Sequence, residues 1–177
     1  MELGPENGTL HLHTGVTGSA AKMGHALTIA VEDWTAVVEV DGDDVTAITA
    51  SAGLSSIHVL SGKGGVKPIT DSDRAKIRGN ALGTLHADKH PTATFAASQV
   101  TRSGGQLTVV GDLTIAGTAR RVSLDVQLSE QPDGVQATCG FVVKQTDFGI
   151  KPFSTMMGQL KVADDVRVEL AVTARRA

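Results

Sequence analysis

Alternating apolar and polar residues form the commonest pattern along this chain. The clearest run places Val122, Leu124 and Val126 two residues apart, with polar residues between them. In an extended chain this spacing puts the two kinds of side chain on opposite faces, which is typical of a half-buried β-strand. The same pattern returns in six further runs, which begin at Leu10, Leu27, Val38, Val109, Val135 and Val166.

Short turn sequences separate these runs. Gly, Asp, Ser and Pro cluster at Asp41–Asp44, Ser103–Gly105, Pro132–Gly134 and Ala163–Asp165, and such residues favour tight reversals of the chain. Consecutive strands joined by tight turns pair in the antiparallel direction. The pattern therefore predicts an all-β protein, and periodicity alone leaves both a sandwich and a barrel open.

One stretch departs from the strand period. Ile77, Ala81 and Leu85 lie four residues apart with polar residues between them, which is the spacing of an amphipathic helix. Thr70 stands where a helix N-cap is expected. The sequence therefore predicts one helix over about residues 71–84. Two internal glycines weaken it by about 1 kcal/mol each relative to Ala, so we expect it to pack on the sheet for support.

Composition and charge narrow the class of protein. At 177 residues the chain can bury a core in one domain, which we expect to span residues 1–177. A net charge of −3, one Trp, four Phe and no Tyr argue against a nucleic-acid groove, which needs clustered cations and stacking aromatics. No basic and apolar leader and no apolar run of membrane-spanning length are seen, so we expect a cytoplasmic protein without a membrane span.

The motifs along the chain resemble those of the YceI-like family from about Gly8 to Thr173. The helix residues Asp73, Arg74 and Ile77 precede a matching "PTATF" segment. The other matching segments are Val110–Thr118, Thr146–Ile150, Val162–Val172 and, more loosely, Ala21–Leu27. The resemblance implies an antiparallel eight-stranded, lipocalin-like barrel with the helix packed on it. It also implies a pore for a polyisoprenoid or quinone-like chain, and a homodimer, since relatives often pair.

The chain departs from the family pattern at three places. His86-Ala87 stands where an aromatic-acid pair is usual, His90 replaces a common Tyr, and Gln145 stands where Arg is usual. Any contact that the Arg or Tyr of relatives makes with a polar head group is therefore expected to differ here.

The most unusual segment is apolar yet contains the Gly and Pro of a loop. It runs from Phe148 to Gly158. Methionine adapts to irregular apolar shapes, which suits a portal for a flexible tail, and a loop that plugs the barrel end as ordinary core fits equally well. From this segment we select five candidate ligand contacts: Phe148, Ile150, Phe153, Met156 and Met157.

Five further candidates lie on predicted strands. Trp34, Phe95, Leu113 and Phe141 are large apolar residues, and strand phase turns Leu113 and Phe141 inward. Core packing competes with ligand contact at each of them and is favoured for Trp34. His25 is a candidate donor to a quinone carbonyl or phosphate oxygen, and a bond to a backbone carbonyl is the alternative.

Several inward positions are predicted to be small, which would leave space inside the barrel. They are Ala47, Ala93, Ala137, Cys139 and Gly140. An eight-stranded barrel is just wide enough for its own side chains or for one slender ligand. We therefore expect a carrier of a long apolar molecule, and the alternative is a self-filled barrel that acts in stress response or protein interaction. No catalytic signature, metal site or cofactor is indicated, so an enzyme is not expected.

Overall fold

A computed structural model describes residues 1–175; the last two residues of the predicted domain, Arg176 and Ala177, lie outside the described residues. The described part contains fourteen strands and one α-helix, α1 (Asp71–Thr84). The strands are β1 (Glu2–Leu3), β2 (Gly8–His13), β3 (Val16–Thr17), β4 (His25–Val31), β5 (Trp34–Asp41), β6 (Asp44–Gly53), β7 (Ile57–Gly64), β8 (Thr92–Ser103), β9 (Gln106–Ile115), β10 (Thr118–Gln131), β11 (Gly134–Lys144), β12 (Ser154–Thr155), β13 (Leu160–Val162) and β14 (Asp165–Arg175).

Eleven of these strands form one antiparallel sheet in the order β1-β5-β6-β8-β9-β10-β11-β14-β2-β4-β7. The predicted all-β class with one helix is confirmed, whereas the predicted count of eight strands is not. Three breaks raise the count. A turn at residues 4–7 separates β1 from β2, Glu32 and Asp33 separate β4 from β5, and a 3-10 turn at Leu54–Ser56 separates β6 from β7.

The sheet is strongly curled. β4 and β5 stand far apart in the order of hydrogen-bonded neighbours, yet only Glu32 and Asp33 separate them in the chain. The bend is held by bonds across it, because the Gly53 N–H donates to the Asp33 carbonyl at 2.9 Å and the Asp33 N–H donates to the Ser56 hydroxyl at 2.9 Å. The sheet must therefore turn round on itself, with one face on the inside.

The inner face carries the apolar residues that alternation predicts. Along β11, for example, Cys139 and Val143 are buried while Val142 and Gly140 are exposed. Three buried clusters are spread along this face, around Trp34, Ile57 and Ile150. The wall of the interior is therefore continuous from one end of the curled sheet to the other.

A small second sheet covers one end of the main sheet. It consists of β12, β13 and β3 in that order, with Lys161 opposite Thr17 and Ser154 opposite Lys161. We call this end, where β4 begins and β7 ends, the small-sheet end. The opposite end carries the β5–β6, β8–β9 and β10–β11 turns, and we call it the hairpin end.

The helix lies against β7, an edge strand of the main sheet. It begins with a capping box, in which the Thr70 hydroxyl accepts from the Asp73 N–H and the Asp73 carboxylate accepts from the Thr70 N–H at 2.8 Å. Arg78 donates to the carbonyls of Ile57 and Ser55. These bonds occupy backbone carbonyls at or beside the exposed edge of β7, which could otherwise pair with a strand of another molecule. The predicted range of 71–84 is confirmed.

No helix within residues 1–175 combines the length and the apolar character that crossing a membrane requires.

Candidate functional site

The interior of the curled sheet is an apolar cavity of about 920 Å³. Every strand of the main sheet contributes at least one side chain to its wall, as do Ile77 and Ala81 of α1 and Leu85, which follows the helix directly. Ligand pockets in proteins usually enclose roughly 300–1,000 Å³, so this space is at the large end of the usual range. The cavity is the natural candidate for a binding site.

Charge reaches the cavity wall at the hairpin end. Asp43, Arg102 and Glu130 are the charged lining residues, and all three lie at or beside the turns there. Arg102 donates to the Asp43 carbonyl at 3.0 Å and to the Gly104 carbonyl at 3.2 Å. Its guanidinium therefore ties two neighbouring turns together.

The small-sheet end is lined by Thr14, Gln145, Ile150, Phe153 and Val162. Gln145 is buried, and its side-chain nitrogen donates to the Ala163 carbonyl at 3.0 Å. The neutral amide therefore holds the chain that enters β14 and satisfies its own polar group. A guanidinium at this position, as in the family pattern, would instead bring a charge to this end of the cavity.

The Gln145 segment is anchored from outside as well. The Asp164 carboxylate accepts from the Thr146 hydroxyl and, at 2.8 Å, from the Thr146 N–H. The bond from the Thr146 hydroxyl is the largest cause of a lowered pKa of the Asp164 carboxyl. This arrangement fixes the start of the loop that runs on to Ile150 and Phe153.

Six of the ten predicted contact residues line the cavity, and whether they touch a ligand stays a prediction. Phe95 and Leu113 are register partners on β8 and β9. The Phe95 ring lies against Gly111, where an added Cβ would stand 2.8 Å from the ring. Trp34 is 4% exposed and packs with Leu3 and Val172. The other three are Phe141, Ile150 and Phe153.

The remaining four candidates are not part of the cavity wall. His25 lies at the start of β4, and its Nε2 is 2.7 Å from the Lys67 carbonyl, which is the alternative weighed for it. Phe148 is buried in the cluster around Ile150. Met156 is 41% exposed and Met157 is fully exposed. Both methionines project from the outer side of the small-sheet end.

The loop from Phe148 to Gly158 therefore divides into two parts. Its first part packs as core through Phe148 and Ile150, as a plug would. Its second part carries Phe153, which lines the cavity and is also 38% exposed. Beyond it, the side chain of Met157 projects into solvent. Each of the two interpretations left open by the sequence fits one part of the loop.

One group of lining residues was not selected from the sequence, and the predicted small inward residues are confirmed as lining only in part. Ile77 and Ala81 of α1 and Leu85 at its C-cap face the cavity, although the four-residue spacing alone had indicated only that they pack on the sheet. Of the small inward residues, Ala93, Ala137 and Cys139 line the cavity, whereas Ala47 and Gly140 do not. Gly140 follows Cys139 on β11, so strand alternation turns it to the outer face.

Cys139 faces the middle of the cavity from β11 and is 7% exposed. Burial raises the pKa of its thiol to about 11, and the charge of Asp125 adds to the shift. A thiol with a raised pKa is a poor nucleophile. Cys139 therefore acts as a small apolar group in the wall.

The chain is similar to known proteins in family, sequence and structure. A family model described as the YceI-like domain matches residues 8–174. A UPF0312 protein from Pectobacterium atrosepticum is 28% identical over 125 residues, which are 62% of this chain and 65% of that protein. Protein YceI from Shigella flexneri is 37% identical over 75 residues, 38% of each chain. The matched segments thus span less than two thirds of these relatives' own length.

Solved structures show the same fold at low identity. BcnA from Burkholderia cenocepacia superposes with a TM-score of 0.70 at 18% identity, covering 94% of this chain and 96% of BcnA. A YCEI protein from Campylobacter jejuni superposes with a TM-score of 0.64 at 16% identity, covering 84% of each chain. The curled sheet with its packed helix is therefore an architecture already seen in experimental structures.

Proposed function

The chain belongs to the YceI-like domain family, and from this premise we propose that it binds one long apolar molecule inside its cavity. The ligand class is a polyisoprenoid, an isoprenoid quinone or a related lipid, held for sequestration or transport rather than for chemical conversion. The observation that supports the proposal is an apolar cavity of about 920 Å³ that is lined mainly by aliphatic and aromatic side chains, with the charged lining residues confined to the hairpin end.

The volume indicates how much of a hydrocarbon chain the cavity can enclose. If each carbon of a hydrocarbon chain occupies the ~30 Å³ that a water molecule takes in the liquid, the cavity of about 920 Å³ accommodates roughly 30 carbons. That corresponds to about six five-carbon isoprene units. A longer chain would have to extend through an open end.

Apolar burial is strong enough to hold such a ligand without a charged anchor. Each buried carbon contributes at most about 0.8 kcal/mol, so a twenty-carbon tail contributes up to roughly 16 kcal/mol. Loss of translational and internal freedom on binding costs about 4–15 kcal/mol of this. A net favourable balance remains for tails of about this length, which is why a specific head-group pocket is not required.

The small-sheet end is the proposed route of entry. Phe153 both lines the cavity and reaches solvent there, and the loop that carries it is joined to the rest of the small sheet by two short strands. At the hairpin end, by contrast, Arg102 ties adjacent turns together. The proposed entry route follows the segment for which the sequence left a portal and a plug equally open.

Native mass spectrometry of protein purified from its own host tests the proposal. We expect a bound species that dissociates on denaturation, and organic extraction of the same sample should yield an isoprenoid or related lipid. A protein that carries no lipid and does not bind an added twenty-carbon isoprenoid alcohol would contradict the proposal. It would favour the alternative of a self-filled barrel that acts through its surface.

A further inference from the structure

Three segments at the small-sheet end form one continuous surface of unusual composition. They are residues 14–24, 62–68 and 149–163, and we call their outer side the lysine face. The segments contain five lysines and no Asp or Glu. The rest of the chain holds the other eleven Lys and Arg together with all nineteen Asp and Glu. The three segments are thus positively charged in a protein with a net charge of −3, and the nearest acidic residues, Asp147, Asp164 and Asp165, lie just beyond the third segment.

Backbone pairing brings the three segments together. β13 pairs with β3, and the Ala20 N–H donates to the Gln159 carbonyl at 2.9 Å, which joins the first segment to the third. The middle segment joins the first through His25, which is the register partner of Gly64 and lies 2.7 Å from the Lys67 carbonyl. The lysine face is therefore set by the fold, although its parts are distant in sequence. Its lysines, all exposed, are Lys22, Lys63, Lys67, Lys151 and Lys161.

The same surface exposes large apolar side chains. Ten large apolar residues are exposed in the described part of the chain, and five of them lie in these segments. They are Met23, Val66, Phe153, Met156 and Met157. The segments make up under a fifth of the chain, so the surface is strongly enriched in exposed apolar groups.

Met157 is displayed by a turn that is unfavourable for most residues. Met156, Met157 and Gly158 follow one another with φ of 53°, 57° and 85°. Left-handed backbone at two successive non-glycine residues is costly, because Cβ approaches the carbonyl oxygen. The Met157 side chain is fully exposed, so it buries no apolar area within the chain that would offset this conformational cost. An unfavourable turn that presents an apolar side chain to solvent indicates a surface built to contact something else.

We infer that the lysine face docks on an anionic lipid bilayer, with Met156 and Met157 inserted below the headgroups. Lysines near an anionic membrane surface each strengthen binding, and exposed apolar side chains bury their area in the acyl region. All five cations are lysines, whereas protein interfaces favour Arg and are depleted in Lys. A nucleic-acid duplex would account for the charge but not for the exposed methionines.

Docking of this face would place the cavity mouth against the membrane. Phe153 and Val162 belong to the third segment and also line the cavity. A ligand with an apolar tail would then pass between bilayer and cavity without crossing water. This delivery step rests on the proposed function, whereas docking itself does not.

Vesicle flotation tests the inference with the full chain. We expect binding to vesicles that contain phosphatidylglycerol and weak binding to phosphatidylcholine alone. Raising the salt from about 0.1 M to about 1 M, which shortens the screening length from ~10 Å to ~3 Å, should release the protein. Equal flotation with both kinds of vesicle, or none with either, would overturn the proposal, as would binding to duplex DNA without binding to vesicles.

Matched variants locate the docking surface. The double variant Lys151→Gln, Lys161→Gln should weaken partition to anionic vesicles about 25-fold, at roughly fivefold per lysine. The control double variant Arg121→Gln, Arg175→Gln removes the same charge elsewhere and should have little effect. Met157→Asn keeps a residue that tolerates left-handed backbone and should weaken binding about tenfold, whereas Val142→Thr on the outer face of β11 should not.

Unchanged binding in both lysine-face variants would exclude this surface. Lipid retention in solution, measured on the same samples by native mass spectrometry, separates the two proposals. Loss of vesicle binding with lipid retained is expected from the variants. A wild-type protein that binds vesicles but never retains lipid would contradict the proposed function and leave docking intact.

Discussion

Filling the cavity from the middle of β11 tests whether the interior is open. Cys139 faces the cavity there, and none of the three buried clusters includes it. In the variant Cys139→Phe, a six-carbon ring would take the place of a sulfur atom. The ring has space to enter if the cavity of about 920 Å³ is open, and it must displace protein atoms if the interior is filled.

The two cases differ in the sign of the stability change. In an open cavity, burying the Phe ring contributes about 2 kcal/mol, which corresponds to a rise in Tm of roughly 4–8 °C for a chain of this size. In a filled core, the same substitution forces neighbouring side chains out of their rotamers and costs about 1–3 kcal/mol. We expect the Tm of the lipid-free protein to rise.

Ligand binding should change in the opposite direction. The ring occupies the space of about six ligand carbons, which at ~0.8 kcal/mol each amounts to up to roughly 5 kcal/mol of lost apolar burial. An isoprenoid tail that fills the cavity should therefore bind more weakly, by up to roughly 4,000-fold. Isothermal titration or native mass spectrometry with a twenty-carbon isoprenoid alcohol measures this loss.

Thr138→Phe is the matched control. Thr138 precedes Cys139 on the same strand and is exposed on the outer face, so a ring there changes the surface without entering the cavity. It should leave ligand affinity unchanged. A lower Tm for Cys139→Phe together with unaltered affinity would refute the open-cavity reasoning.

Three further predictions concern groups around the cavity. Cys139 should react with small alkylating reagents at pH 8 roughly a hundredfold more slowly than an exposed cysteine. Because the pKa of its thiol in the folded protein is raised to about 11, the free energy of unfolding should fall as pH rises from about 9 to 11. This fall should be absent in Cys139→Ala. Thr70→Ala removes the side-chain half of the capping box with Asp73 and should cost about 1 kcal/mol, seen as a Tm lower by roughly 2–4 °C. The hydroxyl of Thr146 lowers the pKa of the Asp164 carboxyl in the folded protein. The ionised carboxylate therefore stabilises the fold above about pH 4, and this contribution is lost as pH falls below that value. In Asp164→Asn the free energy of unfolding should depend less on pH below about pH 4.

Strand phase and the helix were predictable because both depend on local chemistry. Alternation identifies the inward faces of β10 and β11, and the Thr70–Asp73 capping box marks the start of α1 within a few residues. The number of strands was not predictable in this way. β1 is two residues long and cannot show a period, and the bend at Glu32–Asp33 divides an alternating run without a Gly or Pro to mark it.

The site was predictable where strand phase determines it. Leu113 and Phe141 were expected to face inward and do line the cavity. Met156 and Met157 were expected near the pore because their segment is apolar, yet pairing of β12 with β13 carries them to the outer side. That pairing is a tertiary contact, and no local pattern in the loop specifies it.

The wall of the cavity is not equally stiff on all sides. All eleven strands of the main sheet are hydrogen-bonded side by side. The helix α1 lies beside the edge strand β7, where Arg74 and Arg78 bond to carbonyls of residues 55–60. The sheet resists widening, since each strand is hydrogen-bonded to its neighbours. The helix, by contrast, is joined to this edge by side-chain bonds from Arg74 and Arg78. Under the proposed function, a bulky ligand would therefore displace α1 more easily than it would separate two strands.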